Sequence, residues 1–369
     1  MNSDQVSALT RFFEKRFKER WIDQMRLNFD IRVLFLTLLV CAWVPFGYPP
    51  AYANPKGTIA FFSSRNTPDE PGLYTAIYLI NADGTNERLW LENPEGFSGM
   101  AWSPDGKSVA LAQYDANGRS HIFVRDFHTG QQKNITAQWV AWQMNFGSPS
   151  WSPDGKWLAV TCSQLDVERV DVCRMTADGD QLQNLTREAP DIFSCCPSWS
   201  PQGDKIAFER EAEIFVMDRN GRNRVRLTGQ EEGIMGDEGP VWSPDGTKIA
   251  FWSNRDAQEP RRGIEDDIYV MNADGSNIVR LTHHPSADRV PAWSPDGRWI
   301  AFHSLRDGTI QNANWNIYVM DANGENEMRV TDHPGLDGLP TWVIPDRSLP
   351  VDTRGNRIIF WGQLKSERR

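Results

Sequence analysis

The sequence predicts an all-β chain: a six-bladed β-propeller of four-stranded antiparallel blades, closed by both termini. Three observations predict it. The pentapeptide WSPDG recurs at residues 102–106, 151–155, 242–246 and 293–297, with the variant WSPQG at 199–203 and a worn copy, TWVIPD, around Trp342. The Trp-to-Trp spacings are 49, 48, 43, 51 and 49 residues, the size of one blade. Six third-strand segments recur with them: AIYLINADG, HIFVRDFHTG, VCRMTADG, EIFVMDRNG, DIYVMNADG and NIYVMDANG.

One unit, read from Val290 to Thr331, justifies each element in order. The segment ending at Trp293 is a short strand. Ser-Pro-Asp-Gly is a turn, because Pro295 fixes φ, Asp296 bonds its own backbone and Gly297 takes positive φ. Trp299–His303 is an apolar second strand, and a polar loop follows. Asn316–Asp321 is the third strand. Asp321-Ala-Asn-Gly324 is a tight turn with its glycine placed for a bulge, and it lacks the ligand pattern of a calcium loop. Glu327–Thr331 is the fourth strand. Fourth strands elsewhere end in Leu-Thr at 185–186, 227–228 and 281–282.

The first blade begins inside the repeat, at the second strand IAFF (59–62). Its first strand must therefore come from the segment ending at Trp342. Joining the termini in one blade removes the two sheet edges that an open array would leave. The tail RIIFWGQLK (357–365) reads as one more strand, which either reinforces this closure or begins a seventh blade.

The expected domains are a leader over residues 1–53 and a propeller over 54–369. Val33–Gly47 is an apolar run, too short to span a bilayer. Arg26 and Arg32 precede it and Ala51-Tyr52-Ala53 follows it, the order of a secretory signal peptide. Met25 offers a shorter start. The reading is an exported chain, periplasmic or extracellular, whose membrane contact comes only through export. Disulfides are allowed there. Cys162 and Cys173 flank a hairpin loop and could face each other. The adjacent Cys195 and Cys196 more naturally reach other partners.

The chain carries 39 basic and 49 acidic residues, a net charge of −10. That argues against a nucleic-acid binder, whose affinity comes mostly from Lys and Arg neutralising phosphates. No G-x-S-x-G elbow, H-E-x-x-H or P-loop occurs.

WSPDG followed by IAF, an S-x-R-D loop, IYVMNADG and RLT resembles the propeller repeat (WD40-like, PD40) of the TolB family, over nearly all of residues 57–343. A TolB protein carries an α/β domain before its propeller. Here only a few residues separate Ala53 from the first strand. The resemblance therefore implies the propeller class, and not the specific role in the Tol complex.

Strand direction sorts the loops onto two faces. The WSPDG and NADG turns are short and uniform. The opposite face carries long, varied loops, where function resides on a rigid scaffold. Asp237, Asp288 and Asp337 stand five residues before a repeat Trp, as a partial ring at the channel mouth that binds a cation or basic peptide, or as turn caps. His283, His284 and His333 occupy neighbouring loops and are candidate ligand residues. Arg255 and Arg306, with Arg65, present guanidinium forks or pair locally with Asp256 and Asp307. Trp139 and Trp142, with Phe146, offer an aromatic platform or pack over a blade edge. Trp102, Trp151, Trp199, Trp242, Trp293 and Trp342 are structural wedges between blades. No cofactor is expected beyond a channel-bound divalent cation. The expected activity is protein or peptide binding by a monomeric scaffold. The alternative is a propeller-fold lyase or hydrolase acting on polysaccharide, with a His/Asp or metal site at the channel mouth.

Overall fold

The Ser-Pro-Asp-Gly turn builds the corner between first and second strands in four of the six blades. In Ser294–Gly297 the serine hydroxyl donates to Asp296 at 2.6 Å and accepts from the Trp299 amide at 3.0 Å, while the Gly297 amide donates to the Ser294 carbonyl. The same pattern recurs around Ser103, Ser152 and Ser243. Each turn satisfies its own polar groups and hands a registered pair of strands to the sheet.

The computed structural model describes residues 55–66, 73–164, 169–187, 192–229, 236–257, 265–308 and 314–345. The propeller belongs to the unit Lys56–Arg369. The leader expected over 1–53 and the tail 357–365 lie outside the described residues.

Six four-stranded antiparallel sheets follow one another. The first blade joins β24 (Asp337–Trp342), β1 (Thr58–Ser63), β2 (Ala76–Asn81) and β3 (Arg88–Glu92). The second runs from β4 (Phe97–Trp102) through β5 (Ser108–Tyr114) and β6 (Ser120–Asp126) to β7 (Gln132–Asn134). The third takes β8 (Met144–Trp151), β9 (Trp157–Gln164), β10 (Val170–Thr176) and β11 (Leu182–Asn184). The fourth takes β12 (Ser194–Trp199), β13 (Lys205–Arg210), β14 (Glu213–Asp218) and β15 (Val225–Arg226). The fifth takes β16 (Asp237–Trp242), β17 (Lys248–Ser253), β18 (Asp267–Asn272) and β19 (Val279–Arg280). The sixth takes β20 (Asp288–Trp293), β21 (Trp299–Ser304), β22 (Asn316–Asp321) and β23 (Met328–Arg329).

First strands touch one another in sequence from β4 to β24, and β24 returns to β4, so they form the inner wall of a closed ring. Closure joins the two ends of the described chain: Ile59 pairs with Trp342, Ala60 with Thr341 and Ser63 with Asp337. Six blades therefore close without a seventh.

Each second and third strand carries a run of buried residues because blades cover both faces, most completely in the sixth blade, where Ile300–Phe302 and Ile317 are fully buried. The repeat tryptophans reach across blade boundaries. Trp242 packs with Ile214 and Val216 of the fourth blade, and Trp293 with Val270 and Leu281 of the fifth. Trp151 and Trp342 also donate to the Ala101 and Ala292 carbonyls of the preceding blade, each at 3.1 Å.

The threonine ending each Leu-Thr, Ile-Thr or Val-Thr pair has a definite task. The hydroxyls of Thr136, Thr186, Thr228, Thr282 and Thr331 accept the third-strand amides of Ile122, Val172, Ile214, Ile268 and Ile317 at 2.9–3.1 Å. This supplies a hydrogen-bond partner where the short fourth strand has already ended.

Candidate functional site

The varied loops lie where first strands begin and second strands end, and three blades carry the same charged construction there. Asp237, Asp288 and Asp337 are each the first residue of a first strand and are buried. Each meets an arginine two residues past the partner second strand. Arg255 Nη2 lies 2.7 Å from Asp237, Arg306 Nη2 lies 2.7 Å from Asp288, and Arg65 Nη2 lies 2.8 Å from Asp337. The arginine stays in place because its plane rests on a strand-three tyrosine, with centroid distances of 5.3 Å (Tyr269), 4.5 Å (Tyr318) and 4.2 Å (Tyr78). The last serine of each second strand completes the unit; Ser63 donates to Asp337 at 2.7 Å, and Arg65 Nε donates to Ser63 at 2.9 Å.

The three carboxylates are therefore the inner halves of ion pairs. A cationic ligand would have to displace a guanidinium to use them. The arginines do not pair with their sequence neighbours as the local reading expected. Asp256 accepts the Tyr269 hydroxyl at 2.9 Å, and Asp307 accepts the Tyr318 hydroxyl at 2.5 Å. Arg65 and Arg306 instead extend outward to Glu87 and Glu327.

Burial pushes the Asp288 carboxyl up to about 6, against the pull of Arg306. It raises Asp337 as well, against Arg65. Asp267, at the start of the third strand of the fifth blade, is pushed up to about 7 by burial, although Arg280 sits 2.6 Å away.

The candidate histidines do not converge. His283 is exposed. His284 Nδ1 accepts the Ser286 amide at 3.1 Å and His333 Nδ1 accepts the Gly335 amide at 2.9 Å, so both bond their own turns. His303 is buried against Trp315 at 4.3 Å, and burial drives its imidazole down to about 3.

The aromatic loop divides its labour. Ala137–Trp142 forms a 3₁₀ turn before β8. Trp139 faces inward, packs on the third-blade core and donates to the Gly179 carbonyl at 3.2 Å. Phe146 is buried in the same core. Trp142 is 64% exposed, the most exposed large apolar side chain among the described residues.

Blades two to four lack the Asp–Arg unit and carry other devices. In the third blade Cys162 and Cys173 are joined by a disulfide with a Cα–Cα distance of 5.9 Å, linking its second and third strands. In the second blade His121 Nε2 sits 3.2 Å from Asp115. In the fourth, Cys195 and Cys196 are unbridged and half-buried.

Residues 56–212 match the TolB beta propeller domain family, and residues 172–261 and 254–347 match the N-terminal region of dipeptidyl peptidase IV. The Tol-Pal system protein TolB of Desulfosudis oleivorans is 45% identical over 42 residues, 11% of this chain and 10% of that protein. TolB of Syntrophus aciditrophicus is 37% identical over 62 residues, 16% of this chain and 14% of that protein. The matched stretches thus span less than a fifth of these curated relatives. The crystal structure of TolB from Acinetobacter baumannii superposes with a TM-score of 0.63 at 22% identity, over 79% of this chain and 67% of that one. Repeat, ring and family matches agree, and the chain is a TolB-type β-propeller repeat protein.

Proposed function

We propose that this chain is an exported protein-binding module of the cell envelope, acting in the periplasm, which receives a peptide or protein partner on the face carrying the varied loops. One observation carries the reading: Trp142 is 64% exposed on that face, on a 3₁₀ turn anchored through the inward Trp139. A large aromatic side chain held in water on a braced turn is the kind of anchor that protein interfaces bury. The Asp–Arg units support it by stiffening the loops of three blades, so binding need not first order them. Export rests on the signal-peptide pattern ending at Ala53 and agrees with the Cys162–Cys173 disulfide.

The polysaccharide lyase or hydrolase reading needs histidines converging with a carboxylate. Among the described residues His283, His284 and His333 form no such group, and His284 and His333 bond their own turns.

The test is a parallel capture from an envelope extract with the wild-type propeller and with Trp142→Ser. Support is a protein enriched by the wild type, identified by mass spectrometry, and reduced at least about tenfold with the variant, the loss of one aromatic anchor. Equal capture by both would remove this face from the account.

A further inference from the structure

The fourth blade carries a cluster that the binding reading does not use. Cys195 and Cys196 lie on its first strand, at a break in register between Cys195 and Ser198. Cys196 has a φ of 54°, and this kink turns two successive side chains toward the same place instead of to opposite faces. Their sulfurs are 3.1 Å apart and not bonded to each other. Glu209, directly across the ladder from Cys195, completes the group: both sulfurs and a Glu209 oxygen all lie within 4.8 Å of one another. Neighbouring blades hold the frame from both sides. The Cys196 amide donates to Thr161 of the third blade at 3.1 Å, and Glu209 accepts from the Gly239 amide of the fifth at 3.4 Å. All three residues are half-buried, shielded yet reachable from solvent.

We propose that Cys195, Cys196 and Glu209 form a binding site for a thiophilic divalent cation of the zinc class. Two thiolates select a soft or borderline ion over calcium or magnesium, and the carboxylate favours zinc over cuprous copper. With zinc–sulfur bonds of about 2.3 Å, tetrahedral ligation needs the sulfurs about 3.8 Å apart, a spread of under about an ångström from their present positions. Three protein ligands leave one tetrahedral position for water or an incoming donor, as in open zinc sites. Glu238 contributes further negative potential.

The test uses the folded protein with its Cys162–Cys173 disulfide intact, zinc as the probe, and iodoacetamide trapping read by mass spectrometry. Without zinc, both Cys195 and Cys196 alkylate. One equivalent of zinc slows both at least about tenfold. Cys195→Ser abolishes zinc protection of Cys196. Glu209→Gln raises the zinc concentration needed by about tenfold or more, a loss that even outer partners of a metal site produce, while its circular dichroism matches the wild type. Three results would overturn the proposal: alkylation indifferent to zinc, a Glu209→Gln chain protected like the wild type, or two cysteines found joined to each other and refusing alkylation.

Discussion

Arg65 and Asp337 stand 272 residues apart in sequence, yet a guanidinium nitrogen of one lies 2.8 Å from a carboxylate oxygen of the other. The same unit in the fifth and sixth blades links residues only 18 apart. In the first blade it therefore does a second task, fastening the two ends of the ring. The Ser63 to Asp337 hydrogen bond reinforces it. The Gly84 turn packs closely on the last blade there, where a Cβ would lie 3.3 Å from the Val330 carbonyl.

Breaking one unit should be costly because it strands a charge. In Asp237→Ala, Arg255 keeps its position over Phe251 and Tyr269 but loses its carboxylate. We expect a loss of about 3–5 kcal/mol, the range for removing one partner of a buried pair. Arg255→Met combined with Asp237→Ala should be less destabilising than the sum of the two single changes, with a coupling of about 1–3 kcal/mol. Urea denaturation of the four chains checks this.

Acid should act on Asp288 in a defined direction. Its carboxyl is raised from 3.8 to about 6 in the folded chain. Between these values the folded state holds a proton that the unfolded state has released. This group therefore makes stability rise as pH falls from about 6 to about 4, with no further change below. Asp267, raised to about 7, acts in the same sense over a window reaching higher. Melting temperature measured from pH 7.5 to pH 4.5 should show this component as a wild-type minus Asp288→Asn difference that grows toward acid (pH range as about a half-unit series).

Two glycines should respond differently to the same substitution. Gly275 has a φ of 86°, and a Cβ there would lie 2.9 Å from the Leu227 carbonyl of the preceding blade. Gly297 has a φ of 71°, but its nearest neighbour is a Pro244 side-chain carbon at 3.7 Å. Gly297→Ala should cost about 1 kcal/mol of backbone strain. Gly275→Ala should cost more, because a fixed carbonyl has to move as well. Paired denaturation curves measure the difference.

Removing the disulfide should loosen the third blade. Cys162 and Cys173 are separated by 11 positions, and closing a loop of that length is worth about 3 kcal/mol. The double change Cys162→Ala, Cys173→Ala should lose stability on that scale, read as a fall in the free energy of unfolding from urea denaturation, with a slope no smaller than that of the wild type because the unfolded chain is no longer cross-linked.

Much of this was legible in the repeat. The Trp, Pro and Gly of WSPDG mark local turns whose chemistry is contained in five residues, so six blades and a closure by both termini could be read from them, while the tail RIIFWGQLK left a seventh blade open. The partners of Arg255 and Arg306 could not be read from adjacency. Asp256 and Asp307 are nearest in sequence, but the third-strand tyrosine hydroxyls occupy them, and the pairing crosses from second strand to first. A signal was present nonetheless. Asp237, Asp288 and Asp337 occur in the same three blades as Arg255, Arg306 and Arg65, while the other blades place Phe97, Phe146 and Ser194 where the aspartate would stand. Residues that enter and leave a repeat together are in contact. The cysteine cluster was less legible, because adjacent strand residues normally point to opposite faces and only the positive φ at Cys196 brings them together.

The closed ring is the claim on which the faces, the channel wall and the binding surface all depend. Its most direct test is a cross-link between Ala60→Cys and Thr341→Cys, which face each other in the closing ladder. After mild oxidation and a single proteolytic cut in an exposed loop, the fragments should stay joined until reductant is added. Fragments that separate without reductant, from a chain that is otherwise folded, would contradict the closure.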